Sequence, residues 1–217
     1  MSRAADGVIK FDLVHSDGVP PAWDEVAGLC AWRQILYRLG LVGLDPKRYG
    51  GVGYGNLSCR VGPFAGEPAE RRFLITGTQT GGLARLNSEH FTLVRQCHPA
   101  RNRVVSEGPV RPSSEALTHG ALYGADHQIR AVFHAHSPEI WQAALALGLP
   151  VTDHRVVYGT PEMAAEMRRL YADPAVRDCG VIVMGGHEDG VVSFGPGLET
   201  AGQALIRTLA RAMALIR

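Results

Sequence analysis

The segment RAVFHAHSPEIW, residues 130–141, joins a predicted strand to a predicted helix. β-Branched and aromatic residues dominate its first half and a Gly-Ala-Asp turn precedes it, so a strand is predicted over 129–136. Ser137 suits the N-cap of a helix, and Pro138 suits the first helical position, where proline costs least. The segment therefore predicts a strand followed directly by a helix over 137–148.

The rest of the chain continues this mixture of strands and helices. Further helices are predicted over residues 22–40, 113–125, 159–171 and 197–217, and further strands over 56–61, 72–76, 90–96, 101–108 and, as a pair, within 180–195. No repeat, low-complexity linker or shift in composition divides the chain. We therefore expect one α/β domain over residues 1–217 with a central, mixed or largely antiparallel sheet, roughly the first 20 residues being an extension.

The composition is that of a soluble globular protein. Of the 217 residues, 46% are hydrophobic and 20% are charged, which is enough apolar material for a sizeable core. A net charge of +1 without runs of one sign gives no reason to expect nucleic acid or membrane partners. The N-terminus lacks the continuous apolar segment of a secretory signal, and the four cysteines are scattered, namely Cys30, Cys59, Cys97 and Cys179. These features predict a cytoplasmic protein with reduced thiols.

Three histidines are candidates for a metal site. His134 and His136 are two positions apart on the predicted strand, so their side chains point to the same face. They could bind one ion, or they could hydrogen-bond to neighbouring backbone at the end of a strand. His187 lies in the glycine-flanked turn MGGHEDG and could be a third ligand or an exposed turn residue. Three histidine ligands would leave coordination positions open, which is typical of a catalytic metal site.

Glu115 is a candidate for acid–base chemistry, although simpler explanations exist. It lies in the first turn of the helix predicted over 113–125, where a carboxylate is stabilised by the helix dipole. His119 follows four positions later, so the two side chains could also form an ordinary pair on one helix face.

Ser113 and Ser114 precede the same helix and could bind a phosphate or carboxylate, or simply cap the helix. Two glycine-bearing loops, GYGNLS at 53–58 and TGTQTG at 76–81, are further candidates for binding a substrate. Such loops are more often plain turns, so neither carries a function by itself.

In combination and order, these segments resemble the class II aldolase/adducin family, whose fucose and rhamnose catabolic aldolases are zinc enzymes. The resemblance covers roughly residues 25–210. The matching segments are GNLSCR at 55–60, FLITGT at 73–78, RPSSEALTHGALY at 111–123, AVFHAHSPE at 131–139, YGTPEMAAE at 158–166 and GGHEDGVVSFGPGLETA at 185–201.

The resemblance implies a three-layer αβα domain, often assembled as a homotetramer with sites near the subunit interfaces. His134, His136 and His187 would bind a divalent metal, most simply Zn²⁺, although Mn²⁺, Co²⁺ or Fe²⁺ also suit such ligands. Glu115 would be the general acid/base, or a fourth metal ligand when no substrate is present. The residues expected to bind the substrate, especially its phosphate, are Gly55, Asn56, Thr78, Gln79, Ser113 and Ser114.

Two departures from the family put the substrate in question. The sugar-phosphate aldolases have a Thr-Gly pair where this chain has Thr78-Gln79, so the glutamine could crowd or replace a phosphate contact. The segment between His136 and Tyr158 is shorter than in those aldolases, and no tyrosine within it could protonate a leaving aldehyde. A small substrate different from theirs is therefore expected.

The residues and the resemblance together predict a metal-dependent lyase acting on a small hydroxylated carbonyl compound or sugar phosphate. The simplest reaction is retro-aldol cleavage through a metal-stabilised enediolate. Decarboxylation, dehydration or epimerisation could use the same site. A non-catalytic, adducin-like binding module is a third possibility, but such a module has no need to keep the three histidines and Glu115.

Overall fold

An eight-stranded mixed sheet crosses the whole protein. The computed structural model describes residues 8–215, and within them ten strands and six helices form. The strands are β1 (Asp12–Ser16), β2 (Gly43–Leu44), β3 (Gly53–Tyr54), β4 (Asn56–Arg60), β5 (Phe73–Thr76), β6 (Phe91–His98), β7 (Arg103–Glu107), β8 (Ala131–His136), β9 (Val181–Val183) and β10 (Gly190–Gly195). The helices are α1 (Trp23–Arg38), α2 (Ala116–Ala125), α3 (Pro138–Ala143), α4 (Pro161–Tyr171), α5 (Pro174–Cys179) and α6 (Leu198–Met213).

The strand order in the large sheet is β1-β7-β6-β5-β4-β8-β10-β9. All neighbouring strands are antiparallel except β1 and β7, which are parallel. β2 and β3 form a separate two-stranded sheet. The predicted mixed, largely antiparallel sheet is thus confirmed, and its strand β8 lies in the interior between β4 and β10.

Helices cover both faces of the sheet, which gives three layers. On one face α1, α3 and α6 pack over a cluster that includes Leu29, Phe133 and Leu205. On the other face α2, α4 and α5 pack over a cluster that includes Leu117 and Val132. Neighbouring residues of β8 therefore enter opposite clusters, as the alternation of side chains along a strand requires. The αβα architecture is confirmed, and His134 and His136 share the α2 face with Val132.

Local helix signals agree with the structure. The Ser137 hydroxyl accepts from the amide of Ile140 at 3.2 Å, and the Thr160 hydroxyl accepts from the amide of Met163 at 3.3 Å. Both predicted N-caps are therefore confirmed, and each precedes a proline at the start of its helix.

Several boundaries differ from the predictions. α3 ends at Ala143 instead of continuing to 148, because the following residues form turns that close at Gly148 with φ +65°. α5 is an additional short helix that the sequence analysis did not predict. The last helix was predicted over 197–217, and α6 accounts for Leu198–Met213, while residues 216–217 lie outside the described part.

The N-terminal segment takes part in the sheet. It was predicted as an extension of the domain, and within it β1 pairs with β7 along its whole length, for example Val14 with Val105. β1 is an edge strand whose side chains are exposed or only half-buried, so its sequence lacks a strong apolar pattern. Residues 1–7 lie outside the described part. Within residues 8–215, none of the helices has the length and apolar character needed to cross a bilayer.

Candidate metal centre and substrate pocket

Three buried histidines meet at the end of β8. His134 and His136 are on the strand, and His187 comes from the turn between β9 and β10. The ring centroids are 5.0 Å apart for His134 and His136, 5.2 Å for His134 and His187, and 4.7 Å for His136 and His187. One nitrogen from each ring lies within 4.8 Å of the other two. The structure therefore brings together the three residues predicted as metal ligands.

A backbone contact determines which nitrogen of His134 faces the other histidines. Nδ1 of His134 lies 3.3 Å from the carbonyl oxygen of Val191 on β10. A carbonyl can only accept, so Nδ1 carries the proton and Nε2 keeps its lone pair for a ligand. The neighbouring strand thus sets the tautomer that a metal ligand needs.

Burial keeps all three imidazoles neutral near pH 7. It lowers the pKa of His134 to about 4. Burial, and then the neighbouring ring of His187, lowers the pKa of His136 well below its usual range. Burial, and then the ring of His134, does the same for His187. Since only neutral imidazole binds a metal, the site needs no deprotonation at neutral pH.

Glu115 lies beside this cluster. Its Oε1 is 3.9 Å from Nε2 of His187, and its Oε2 accepts from the Thr118 hydroxyl at 2.9 Å. Glu115 occupies the N-cap position of α2, but its side chain caps no backbone amide. Nδ1 of His119 lies 2.6 Å from the hydroxyl oxygen of Ser58, and its Nε2 has no hydrogen-bond partner among the described residues, so the pair with Glu115 does not form as a hydrogen bond. The carboxylate is therefore directed towards the histidines.

A pocket open to solvent lies in front of the histidines. All ten residues predicted for the site line it, namely Gly55, Asn56, Thr78, Gln79, Ser113, Ser114, Glu115, His134, His136 and His187. Six further residues complete the lining, namely Gly53, Tyr54, Gly77, Thr80, Gly81 and Tyr158. The sequence segments that were individually weak signals thus form one concave site, although the role of each residue stays a prediction.

Two loop residues of the pocket have left-handed backbones. Gly55 has φ +78°, and a Cβ at this position would lie 2.4 Å from Cγ1 of Val42, so only glycine fits. Gln79 has φ +60°, a conformation that glycine adopts more easily. The loop therefore has a backbone that would suit glycine, while the exposed side chain of Gln79 lies at the pocket.

Two groups of neighbouring residues were not predicted. The ring of Tyr158 lies 4.5 Å from that of His187, and Nζ of Lys10 lies 3.3 Å from the Tyr158 ring centroid. The ring of Tyr49 lies 4.4 Å from that of His136, and its hydroxyl donates to Asp189 at 2.6 Å. The YGTPE segment after a turn could have drawn attention to Tyr158, whereas nothing local marks Lys10.

Comparison with known sequences determines the family. The profile described as "Class II Aldolase and Adducin N-terminal domain" matches residues 43–216. The chain belongs to this family. The predicted resemblance is confirmed, and the matched part contains all ten predicted site residues. No curated protein sequence matches this family member.

Solved structures show that this class II aldolase/adducin protein shares its fold with several others. L-fuculose-1-phosphate aldolase from Thermus thermophilus superposes with a TM-score of 0.62 at 21% identity, over 88% of this chain and 91% of that one. YgbL from Klebsiella pneumoniae, whose description names aldolase, epimerase and decarboxylase as alternatives, gives 0.64 at 17% identity over 88% of each chain. A sugar-phosphate aldolase from Thermotoga maritima gives 0.61 at 16% identity, over 89% and 97%.

Proposed function

We propose that this protein is a metal-dependent lyase that cleaves a carbon–carbon bond in a small hydroxylated carbonyl compound or sugar phosphate. The observation that carries the proposal is the meeting of three buried histidines and Glu115 in one pocket. A binding module would not need this set of neutral nitrogens and one carboxylate around an open cavity. Membership of the class II aldolase/adducin family supports the same reading.

The residues fit a divalent ion. His134, His136 and His187 offer three nitrogens within 4.8 Å of one another, and their lowered pKa values keep the lone pairs available at neutral pH. Zn²⁺ is the ion we propose, and Mn²⁺, Co²⁺ and Fe²⁺ suit the same ligands. When bound, the ion supplies Lewis-acid stabilisation of the negative charge that develops on the substrate's carbonyl oxygen.

Glu115 is proposed to transfer the proton to or from the reacting carbon. Its carboxylate is buried beside His187, and Thr118 fixes one oxygen by a hydrogen bond. A fixed carboxylate beside the proposed metal ligands would exchange a proton with a substrate carbon held at that centre.

The glycine-rich side of the pocket is proposed to bind the other end of the substrate. Backbone amides and hydroxyl groups can hold a phosphate or another oxyanion there, which fixes the reacting end against the metal centre. The residues proposed for this role are Gly55, Asn56, Thr78, Gln79, Ser113 and Ser114.

A second candidate reaction uses the same residues on a different bond. Gln79 adds a side chain at the rim where the sugar-phosphate aldolases have glycine, and the similarity to YgbL brings epimerase and decarboxylase chemistry into consideration. Decarboxylation, epimerisation or dehydration of a hydroxy acid or sugar derivative would all use the same metal centre and carboxylate. We also propose a homotetramer, which rests on the family alone, and a cytoplasmic location, which rests on the composition and the scattered cysteines.

Metal analysis and a substrate screen test the proposal. The purified protein should contain close to one divalent ion per chain, and the double variant His134→Ala/His136→Ala should lose it. Glu115→Gln should fold and retain the metal while turnover falls by about 10²- to 10⁴-fold. The screen compares phosphorylated and unphosphorylated ketoses, aldols, and 2-keto and 2-hydroxy acids, with products detected by mass.

The outcomes separate the candidates. Aldehyde products from ketoses or aldols identify the lyase, and loss of carbon dioxide or water identifies decarboxylation or dehydration. An isomer of unchanged mass, resolved from the starting compound by chromatography, identifies epimerisation. Full metal content in the double variant would rule out the proposed metal site. Bound metal without turnover of any compound would favour a binding module.

A further inference from the structure

Helix α1 carries a buried arginine that the proposed chemistry does not use. Arg33 is only 3% exposed. Its guanidinium donates to three backbone carbonyls of one loop, at 2.7 Å to Gly81, 3.3 Å to Thr80 and 3.3 Å to Ala84. In the part of the chain that the structure describes, no carboxylate forms an ion pair with it. Burying a cation without a carboxylate is energetically unfavourable, so its place behind this loop calls for an explanation.

The loop that Arg33 holds is a wall of the substrate pocket. Thr80 and Gly81 both line the cavity. Arg33 does not line the cavity itself; it contacts the backbone carbonyls of these same two residues. None of the described residues that line the pocket is a lysine or an arginine. Arg33 therefore places a positive charge directly behind this wall, whereas Lys10 and Arg48 lie against the rings of Tyr158 and Tyr54 at other parts of the lining.

The peptide geometry directs two amides away from Arg33. The Thr80–Gly81 and Gly81–Gly82 peptides are trans, so each N–H points opposite to the carbonyl of its own peptide. With both carbonyls on the guanidinium, the N–H groups of Gly81 and Gly82 face the other side of the loop. A Cβ built on Gly53 would lie 3.2 and 3.3 Å from these two nitrogens, so the amides adjoin Gly53, another lining residue.

We infer that Arg33 is a positioning residue for an oxyanion of the substrate. By binding the carbonyls of Thr80 and Gly81, it presents the amides of Gly81 and Gly82 to a phosphate or carboxylate in the pocket and places a positive charge behind them. This inference rests on the proposed function for the existence of a substrate in the pocket. It adds a residue outside the part of the chain that the family profile matches.

Charge and hydrogen bonding act together in this arrangement. The buried guanidinium is little screened by salt, and the peptide dipoles have their positive ends on the pocket side. Lysine would keep the charge but cannot bind three carbonyls with a rigid planar fork, and methionine would remove both. The two substitutions therefore separate the charge from the geometry of the loop.

Titration calorimetry with inorganic phosphate and with acetate tests the inference on chelator-treated protein, where no metal can bind the anion. We expect Arg33→Met to weaken phosphate binding at least tenfold and Arg33→Lys to weaken it less. Arg38→Met removes a charge from the exposed side of the same helix and should leave the affinity unchanged. Metal content, measured on the untreated proteins, should be equal in all variants.

A second measurement separates charge from loop stability. The preference for the phosphate dianion is read from the change in affinity between about pH 6 and pH 8, which brackets the second ionisation of phosphate. This preference for the dianion should fall in Arg33→Met and persist in Arg33→Lys. If Arg33→Met fails to fold, a preserved dianion preference with weaker binding in Arg33→Lys still supports the inference.

Three results would overturn the inference about Arg33. The first is an equal phosphate affinity in the wild-type protein and Arg33→Met. Equal losses in the lysine and methionine variants with an unchanged dianion preference would make Arg33 a purely structural residue. The inference would also be wrong if the wild-type protein bound neither phosphate nor acetate. The proposed lyase activity would still be tested separately, by metal content and by turnover of uncharged aldols.

Discussion

Acid should destabilise the metal-free protein, because four buried histidines are neutral in the folded state. Burial lowers the pKa of His134 to about 4 and lowers the pKa values of His119, His136 and His187 well below the usual range. In the unfolded chain each imidazole titrates near its ordinary pKa of about 6.5. Below that pH the unfolded state binds more protons than the folded state, so the free energy of unfolding falls as the pH falls.

The size of the effect follows from His134. The difference between an unfolded pKa of about 6.5 and a folded pKa of about 4 corresponds to about 3 kcal/mol, lost progressively as the pH falls through that window. His119, His136 and His187 add losses of the same sign. Since a domain is stable by about 5–15 kcal/mol, we expect the metal-free protein to unfold well above pH 4.

Urea denaturation of chelator-treated protein, at several pH values from about 7 down to about 4.5, measures this loss. His119→Gln removes one buried imidazole that is not a proposed metal ligand, so it should reduce the slope of unfolding free energy against pH by about one proton, or 1.4 kcal/mol per pH unit. His154→Gln is the matched control, because that side chain is 83% exposed and should leave the slope unchanged. Equal slopes for wild type and His119→Gln, or a free energy that is constant to about pH 4.5, would refute the reasoning.

Two further predictions concern the backbone of the pocket. Gly55→Ala should lower the free energy of unfolding by about 2–5 kcal/mol, because the added Cβ meets Val42 and the left-handed backbone disfavours alanine; thermal denaturation checks this, and a change below about 1 kcal/mol would contradict it. Gln79→Gly should raise the free energy of unfolding by up to about 1 kcal/mol, because glycine relieves the left-handed backbone. A clear loss of stability in the same assay would show that the Gln79 side chain makes a stabilising contact.

Much of the fold was predictable because its signals are local. The Ser137 and Thr160 caps act on amides three residues away, and the alternation along β8 places His134 and His136 on one face. Each of these signals depends on neighbours in sequence, so the elements could be located without the tertiary structure. The edge strand β1 was missed, because an exposed strand needs no apolar alternation.

The candidate site was predictable only in part. The ten predicted residues do line one pocket, yet their segments became significant through the family resemblance and not through spacing alone. The contacts that adjust the site join distant parts of the chain. Lys10 reaches Tyr158 across 148 positions, and Arg33 reaches Gly81 across 48. No periodicity or capping rule links residues so far apart.

The sequence by itself therefore determined most of the helices and strands, the αβα class through its family and the histidines that can share a metal. The tertiary structure alone decided the neutral state of those histidines, the tautomer of His134 and the place of Arg33 behind the pocket loop. The physical reason is that burial and hydrogen-bond partners determine pKa values, tautomers and buried charges, and both come from segments that meet only when the chain folds.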